Sequence, residues 1–144
     1  MLIFCMKILL KQLSVVGRSI SVCFLTNNSM ISVNHMFRGI DKSTDVLAFP
    51  EDNDPTKSKL THIQSLGEIL ISPEYACKNA KKIGSTLGEE ICFLIVHGLL
   101  HLLGYDHEQV DERKHMNERQ KELILNLKNE LDDKAISEII IDEV

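Results

Sequence analysis

No cysteine of this chain stands in a C-x-x-C pair; Cys5, Cys23, Cys77 and Cys92 are widely spaced. That absence argues against a disulfide framework and against a cysteine-based zinc site. It suits free thiols packed as small apolar groups in a reducing cytosol. Tryptophan is missing as well and aromatic residues make up only 5%, yet the 44% hydrophobic and 26% charged content is that of an ordinary soluble protein. No stretch approaches the length of a membrane span. The apolar start, Met1 to Met6, has no positive charge ahead of it and no cleavage-like small residues after it, and Lys7 and Lys11 interrupt it. Neither a signal peptide nor a membrane partner is expected, and the location expected is cytoplasmic. Internal repeats and low-complexity segments are absent too, so residues 1–144 are expected to form one domain with a single core.

The net charge of −5 argues at first sight against a nucleic-acid partner. Its distribution weakens that argument. Residues 129–144 hold six acids (Glu130, Asp132, Asp133, Glu138, Asp142, Glu143) against Lys134 alone, a net −5 that leaves the other 128 residues formally neutral. The acidity belongs to a C-terminal tail, and a local basic surface elsewhere stays open.

Periodicity predicts alternating helices and short strands. Ile3, Met6, Leu9, Leu10 and Leu13 suit a helix, and Ser19–Leu25 alternates as a strand does before the turn Thr26-Asn-Asn-Ser. Ser29 is the expected cap of a helix that ends near Gly39, and Asp45–Phe49 reads as a strand stopped by Pro50. Residues 51–59 form an obvious polar loop, and residues 60–64 suit a strand or a loop. Leu66–Ile71 is a strand, and Ser72-Pro73 opens a helix. Thr86 and Glu89 have capping-box spacing ahead of an almost wholly apolar helix that should end at Gly104 and lie at the centre of the fold. A last amphipathic helix starts near Val110 and carries Met116, Gln120, Leu123, Leu127 and Leu131. Residues 136–144 suit a strand, a helix extension or a loose tail.

His97 and His101 lie four residues apart on the central helix, so their side chains share one face. Gly104 breaks the helix, and the Tyr105-Asp106 turn can bring His107 back to the same point. Three neutral imidazoles are good ligands for one divalent ion, zinc foremost, and leave a fourth position for water. Structural zinc is normally closed by four protein ligands. Burying two imidazoles in an apolar helix without partners is costly, which weighs against chance placement. Cys92, five before His97, is off the ligand face. The spacing is similar to that of metzincin peptidases, but these use a glutamate after the first histidine as general base, and here that position is Gly98.

The segment His97-Gly-Leu-Leu-His101-Leu-Leu-Gly-Tyr-Asp-His107 matches H-G-x-L-H-L-x-G-Y-D-H, the motif of the YbeY endoribonucleases. Asn34-His-Met-Phe-Arg38, Thr44-Asp-Val-Leu-Ala-Phe-Pro50 and Leu66-Gly-Glu-Ile-Leu-Ile-Ser72 resemble further segments of that family, in the same order, from about Ser19 to Leu125. Ala48 and Glu68 stand where the family usually has serine and aspartate, and the N-terminal segment is shorter, which puts a first edge strand in question.

The resemblance implies an α+β fold, a small mixed sheet with surrounding helices and a central metal-binding helix, similar to metalloproteases. It implies one Zn2+ or other divalent ion held by His97, His101 and His107, and catalytic roles for His97 and Arg38. An arginine suits a bidentate grip on phosphate. The implied activity is single-strand-specific cleavage of ribosomal RNA in ribosomal particles, at the 3′ end of 16S rRNA and in ribosome quality control, with no DNA substrate. Asp106 suits either orientation of a ligand histidine or capping of its turn. Lys78, Lys81 and Lys82 suit a phosphate-facing patch or a solvated helix face. His35, His62 and His115 show no ligand spacing. Two other readings stay open: a zinc hydrolase of another substrate, and a ribosome-assembly factor with structural zinc.

Overall fold

A computed structural model describes residues 2–51 and 64–132. The polar loop after Glu51, His62, most of residues 60–64 and the tail from Asp133 lie outside the described residues. The element order is α1 (Leu2–Gln12), β1 (Ser19–Phe24), α2 (Asn27–Arg38), β2 (Val46–Pro50), β3 (Ser65–Ile71), α3 (Pro73–Ile83), α4 (Leu87–Leu102) and α5 (Val110–Glu130). The described chain opens on a helix, so no edge strand precedes β1 among the described residues.

Strands order as β1-β3-β2, with β1 parallel and β2 antiparallel to β3. The sheet is therefore small and mixed, and the class is α+β. Strand β3 is central and its side chains are mostly buried, as a strand covered on both faces requires. Strand β2 lies at the edge, where Pro50 can end it opposite Gly67 without costing a ladder bond.

Most helix ends fall where the turn chemistry places them. Ser72 caps α3 with proline behind it, and Thr86 and Glu89 form the reciprocal capping box of α4. The start of α2 is a correction: Thr26, not Ser29, is its cap. The Thr26 backbone is extended and its hydroxyl accepts from the Ser29 N–H at 3.2 Å, so the helix begins at Asn27.

Helix α4 packs against α3, α5, β2 and β3 and buries eleven of its residues. No single described helix is long and apolar enough to cross a membrane. The apolar character of α4 is instead consumed by the core. It approaches the sheet closely at Gly98, where a Cβ would stand 2.9 Å from the Ile69 side chain. Two thiols meet this core as expected: Cys5 and Cys92 are buried and all four cysteines are free.

Candidate metal centre

Twelve of the sixteen α4 residues are apolar or glycine; the polar interruptions are Glu89, Glu90, His97 and His101, and of these only the two histidines reach the cavity beside the helix. At its end, Gly104 adopts φ 92°, and the Tyr105 N–H donates to the Leu100 carbonyl at 3.0 Å. This left-handed turn reverses the chain, as glycine allows without Cβ strain. Three residues after Gly104, His107 faces the helix it left.

The three rings converge. Centroids are 4.7 Å apart for His97 and His101, 5.0 Å for His101 and His107, and 5.9 Å for His97 and His107. The Nε2 atoms of His97 and His101 stand 3.1 Å apart. Two nitrogens bound to one tetrahedral zinc at about 2.0–2.1 Å would be separated by roughly 3.3 Å. The His97 and His101 pair therefore fits a shared metal ion with little adjustment. Ligand atoms of His101, Asp106 and His107 also lie within 4.8 Å of one another, a cluster that could hold an ion.

His97 and His107 each have a polar neighbour beside Nδ1. Gln120 is 3% exposed, its Nε2 donates to the Phe93 carbonyl at 3.3 Å, and its Oε1 stands 3.4 Å from His97 Nδ1. That anchoring leaves the Gln120 oxygen to accept from Nδ1–H and leaves Nε2 free as a ligand. Asp106 accepts the His107 backbone N–H at 2.7 Å, and its Oδ1 lies 3.7 Å from His107 Nδ1. Burial, outweighing the bond to Gln120, lowers the pKa of His97. Burial, reinforced by the neighbouring His97 and His107, lowers that of His101. Both effects favour the neutral, ligating imidazole.

The histidines form one wall of a cavity of about 750 Å3. The opposite wall comes from the end of α2, the segment just before β2, and β2 itself, with Phe37, Arg38, Thr44, Asp45 and Phe49 among its residues. Arg38 is exposed and has no hydrogen bond or ion pair with the described residues. Asp45 is held in place: its carboxylate accepts from the Val46 N–H at 2.8 Å and from Asn79 at 3.3 Å. The same Asn79 amide donates to Glu90 at 3.3 Å, a carboxyl whose pKa is raised by burial.

Of the residues read from the sequence, His97, His101, His107, Asp106 and Arg38 come together around this cavity. Lys78, Lys81 and Lys82 are exposed on α3 and none lines it, so a phosphate-facing role gains no support from the geometry. His35 pairs with Asp41 on the surface, and His115 stacks on Tyr105 with centroids 5.5 Å apart. Gln120, Asn79 and Glu90 were not anticipated as parts of the site. The signal for Gln120 was present: a polar side chain in the series Met116, Gln120, Leu123, Leu127, where a core residue belongs.

The family model described as "Endoribonuclease YbeY" matches residues 3–128. Proteins of that name include one from Acholeplasma laidlawii, 46% identical over 107 residues, which cover 74% of this chain and 73% of that protein. Another, from a Sulfurihydrogenibium species, is 39% identical over 132 residues, covering 91% of this chain and 79% of its own length. A solution structure of a Thermotoga maritima protein aligns with a TM-score of 0.66 and 26% identity, covering 99% of this chain and 91% of that one. The chain belongs to the YbeY endoribonuclease family.

Proposed function

We propose that this protein is a zinc-dependent, single-strand-specific endoribonuclease of the cytoplasm that acts in ribosomal RNA maturation, including the 3′ end of 16S rRNA, and in ribosome quality control. The observation that carries the reading is the joint presence, in one open cavity, of three converging imidazoles and an arginine that has no partner among the described residues. His97, His101 and His107 would hold the ion, which when bound supplies Lewis acidity and a water of lowered pKa. Arg38, with no described partner to give up, is free to take a phosphate oxygen pair and to stabilise the charge that develops on it. Its fork geometry suits phosphate better than a lysine would.

The peptidase alternative is weakened by the fold itself. Position 98 is pressed against Ile69, so a glutamate there would force the buried Ile69 side chain to shift. One observation favours the structural-zinc reading: the Asp106 carboxylate lies near enough to His101 and His107 to close a fourth position. Against it, that carboxylate already accepts the His107 N–H at 2.7 Å.

The test compares wild type with His97→Ala and Asp106→Asn on a single-stranded RNA, with and without a chelator, alongside metal content. Wild type is expected to bind one ion and cut. His97→Ala is expected to lose both metal and cleavage, and Asp106→Asn to keep its metal with affinity reduced about 10- to 100-fold. Cleavage that survives both the chelator and His97→Ala would sink the assignment. Ends bearing 2′,3′-cyclic phosphate would identify the RNA 2′-OH as nucleophile.

A further inference from the structure

Helix α2 turns Met30, Val33 and Phe37 onto one face at three- and four-residue steps. Met30 is completely buried at the start of that series, yet Phe37 at its end is 63% exposed. The last turn of α2 has run beyond the packed part of the sheet. What remains beside Phe37 is Phe49 of the edge strand β2, with ring centroids 4.9 Å apart and planes inclined by 55°. Met36 is exposed too, but it lies about 100° around the helix and is not among the cavity-lining residues.

Phe37 and Phe49 thus project into the same cavity as the histidines, and the residue after Phe37 is Arg38, which also lines it. A phenyl ring held at one side by a second ring and open on the rest gains little where it stands. Burying it against a flat partner would recover hydrophobic and stacking energy. The neighbouring guanidinium calls for an anion at the same place. A flat, apolar face joined to a phosphate describes one nucleotide. In a duplex both base faces are already stacked on neighbours, so only an unpaired base can use the ring.

We propose that Phe37, braced by Phe49, is a stacking platform for an unpaired nucleobase next to the phosphodiester gripped by Arg38. Phe37 is a binding residue, and the platform contributes to the preference for single strands. The inference rests on the RNA-cleaving reading above, and its test separates the two.

The experiment uses the full chain loaded with zinc. Steady-state cleavage of a short single-stranded RNA is measured for wild type, Phe37→Leu and Phe37→Tyr. Anisotropy gives each protein's affinity for a labelled, cleavage-resistant 2′-O-methyl oligonucleotide of the same sequence. Phe37→Leu keeps apolar bulk but not the ring. It is expected to raise KM and weaken oligonucleotide binding about tenfold, with kcat within about twofold of wild type. Phe37→Tyr is expected to retain wild-type values. An abasic nucleotide is then moved along the substrate with wild-type protein. One position should cost about tenfold in KM, and there Phe37→Leu should add nothing further. A wild-type KM in Phe37→Leu, or an abasic series with no sensitive position, overturns the inference while leaving the nuclease reading standing. Wild type that binds the oligonucleotide but does not cut RNA refutes the nuclease reading, and the binding comparison still decides on Phe37.

Discussion

The two walls of the cavity are built on opposite plans. On the α4 wall, His97 is half-buried against Gln120, and the turn at Gly104 fixes the return of His107. On the α2–β2 wall, Arg38 and Phe37 are exposed and Arg38 has no described partner. Metal ligands must be neutral and pre-positioned before the ion arrives, which burial and a hydrogen bond on the second nitrogen provide. Groups that meet a substrate must instead be free to exchange water for it. The difference implies that metal affinity and substrate turnover can be damaged separately.

The sharpest way to break that division is Arg38→Ala. It should lower kcat by roughly 10²- to 10³-fold while the protein still binds one ion, with partial recovery in Arg38→Lys. Loss of metal in Arg38→Ala, read by metal analysis, would show that the walls are not independent. The converse change is Gln120→Leu, which removes the oxygen facing His97 Nδ1 and keeps an apolar core side chain. Zinc affinity should fall about 10- to 100-fold, and activity should return at saturating zinc. A deficit that persists at saturation would give Gln120 a part in turnover.

The smallest expected effect concerns proton linkage in the metal-free protein. Burial lowers the pKa of His97 and His101 below the ordinary imidazole value of 6.5. As pH falls below that value the unfolded chain takes up protons that the folded chain refuses, so folded stability falls with it. The midpoint of thermal unfolding should drop by a few degrees between pH 7 and pH 5, beyond the change seen in a His97→Gln, His101→Gln double variant. An equal drop in that variant would assign the effect to other groups.

The metal wall was far more legible in sequence than its partner. His97, His101 and the Gly104 turn are local in the chain, so helical period and one glycine were enough to bring three histidines together. Arg38 was legible only through family resemblance, because nothing in a lone arginine says that it will lack a partner. The lysines of α3 show the same limit from the other side, since a basic run reads alike whether it faces a site or solvent. Ser29 was misread as the α2 cap because four polar residues in a row, Thr26 to Ser29, offer more than one starting point. Thr26 takes the position, with its extended backbone directly preceding the helical residues.

By itself, then, the sequence determined the histidine cluster and the elements that carry it, because helix period, caps and a left-handed glycine act within a few residues. Only the tertiary structure decided the rest. It set Gln120 from α5 behind His97, closed position 98 against Ile69, and left the end of α2 overhanging the cavity with Phe37 and Arg38 uncovered. Those outcomes depend on which elements pack together across long stretches of chain, and no local pattern encodes them. The three histidines remain the first feature that the sequence offers, and the wall opposite them is what the packing adds.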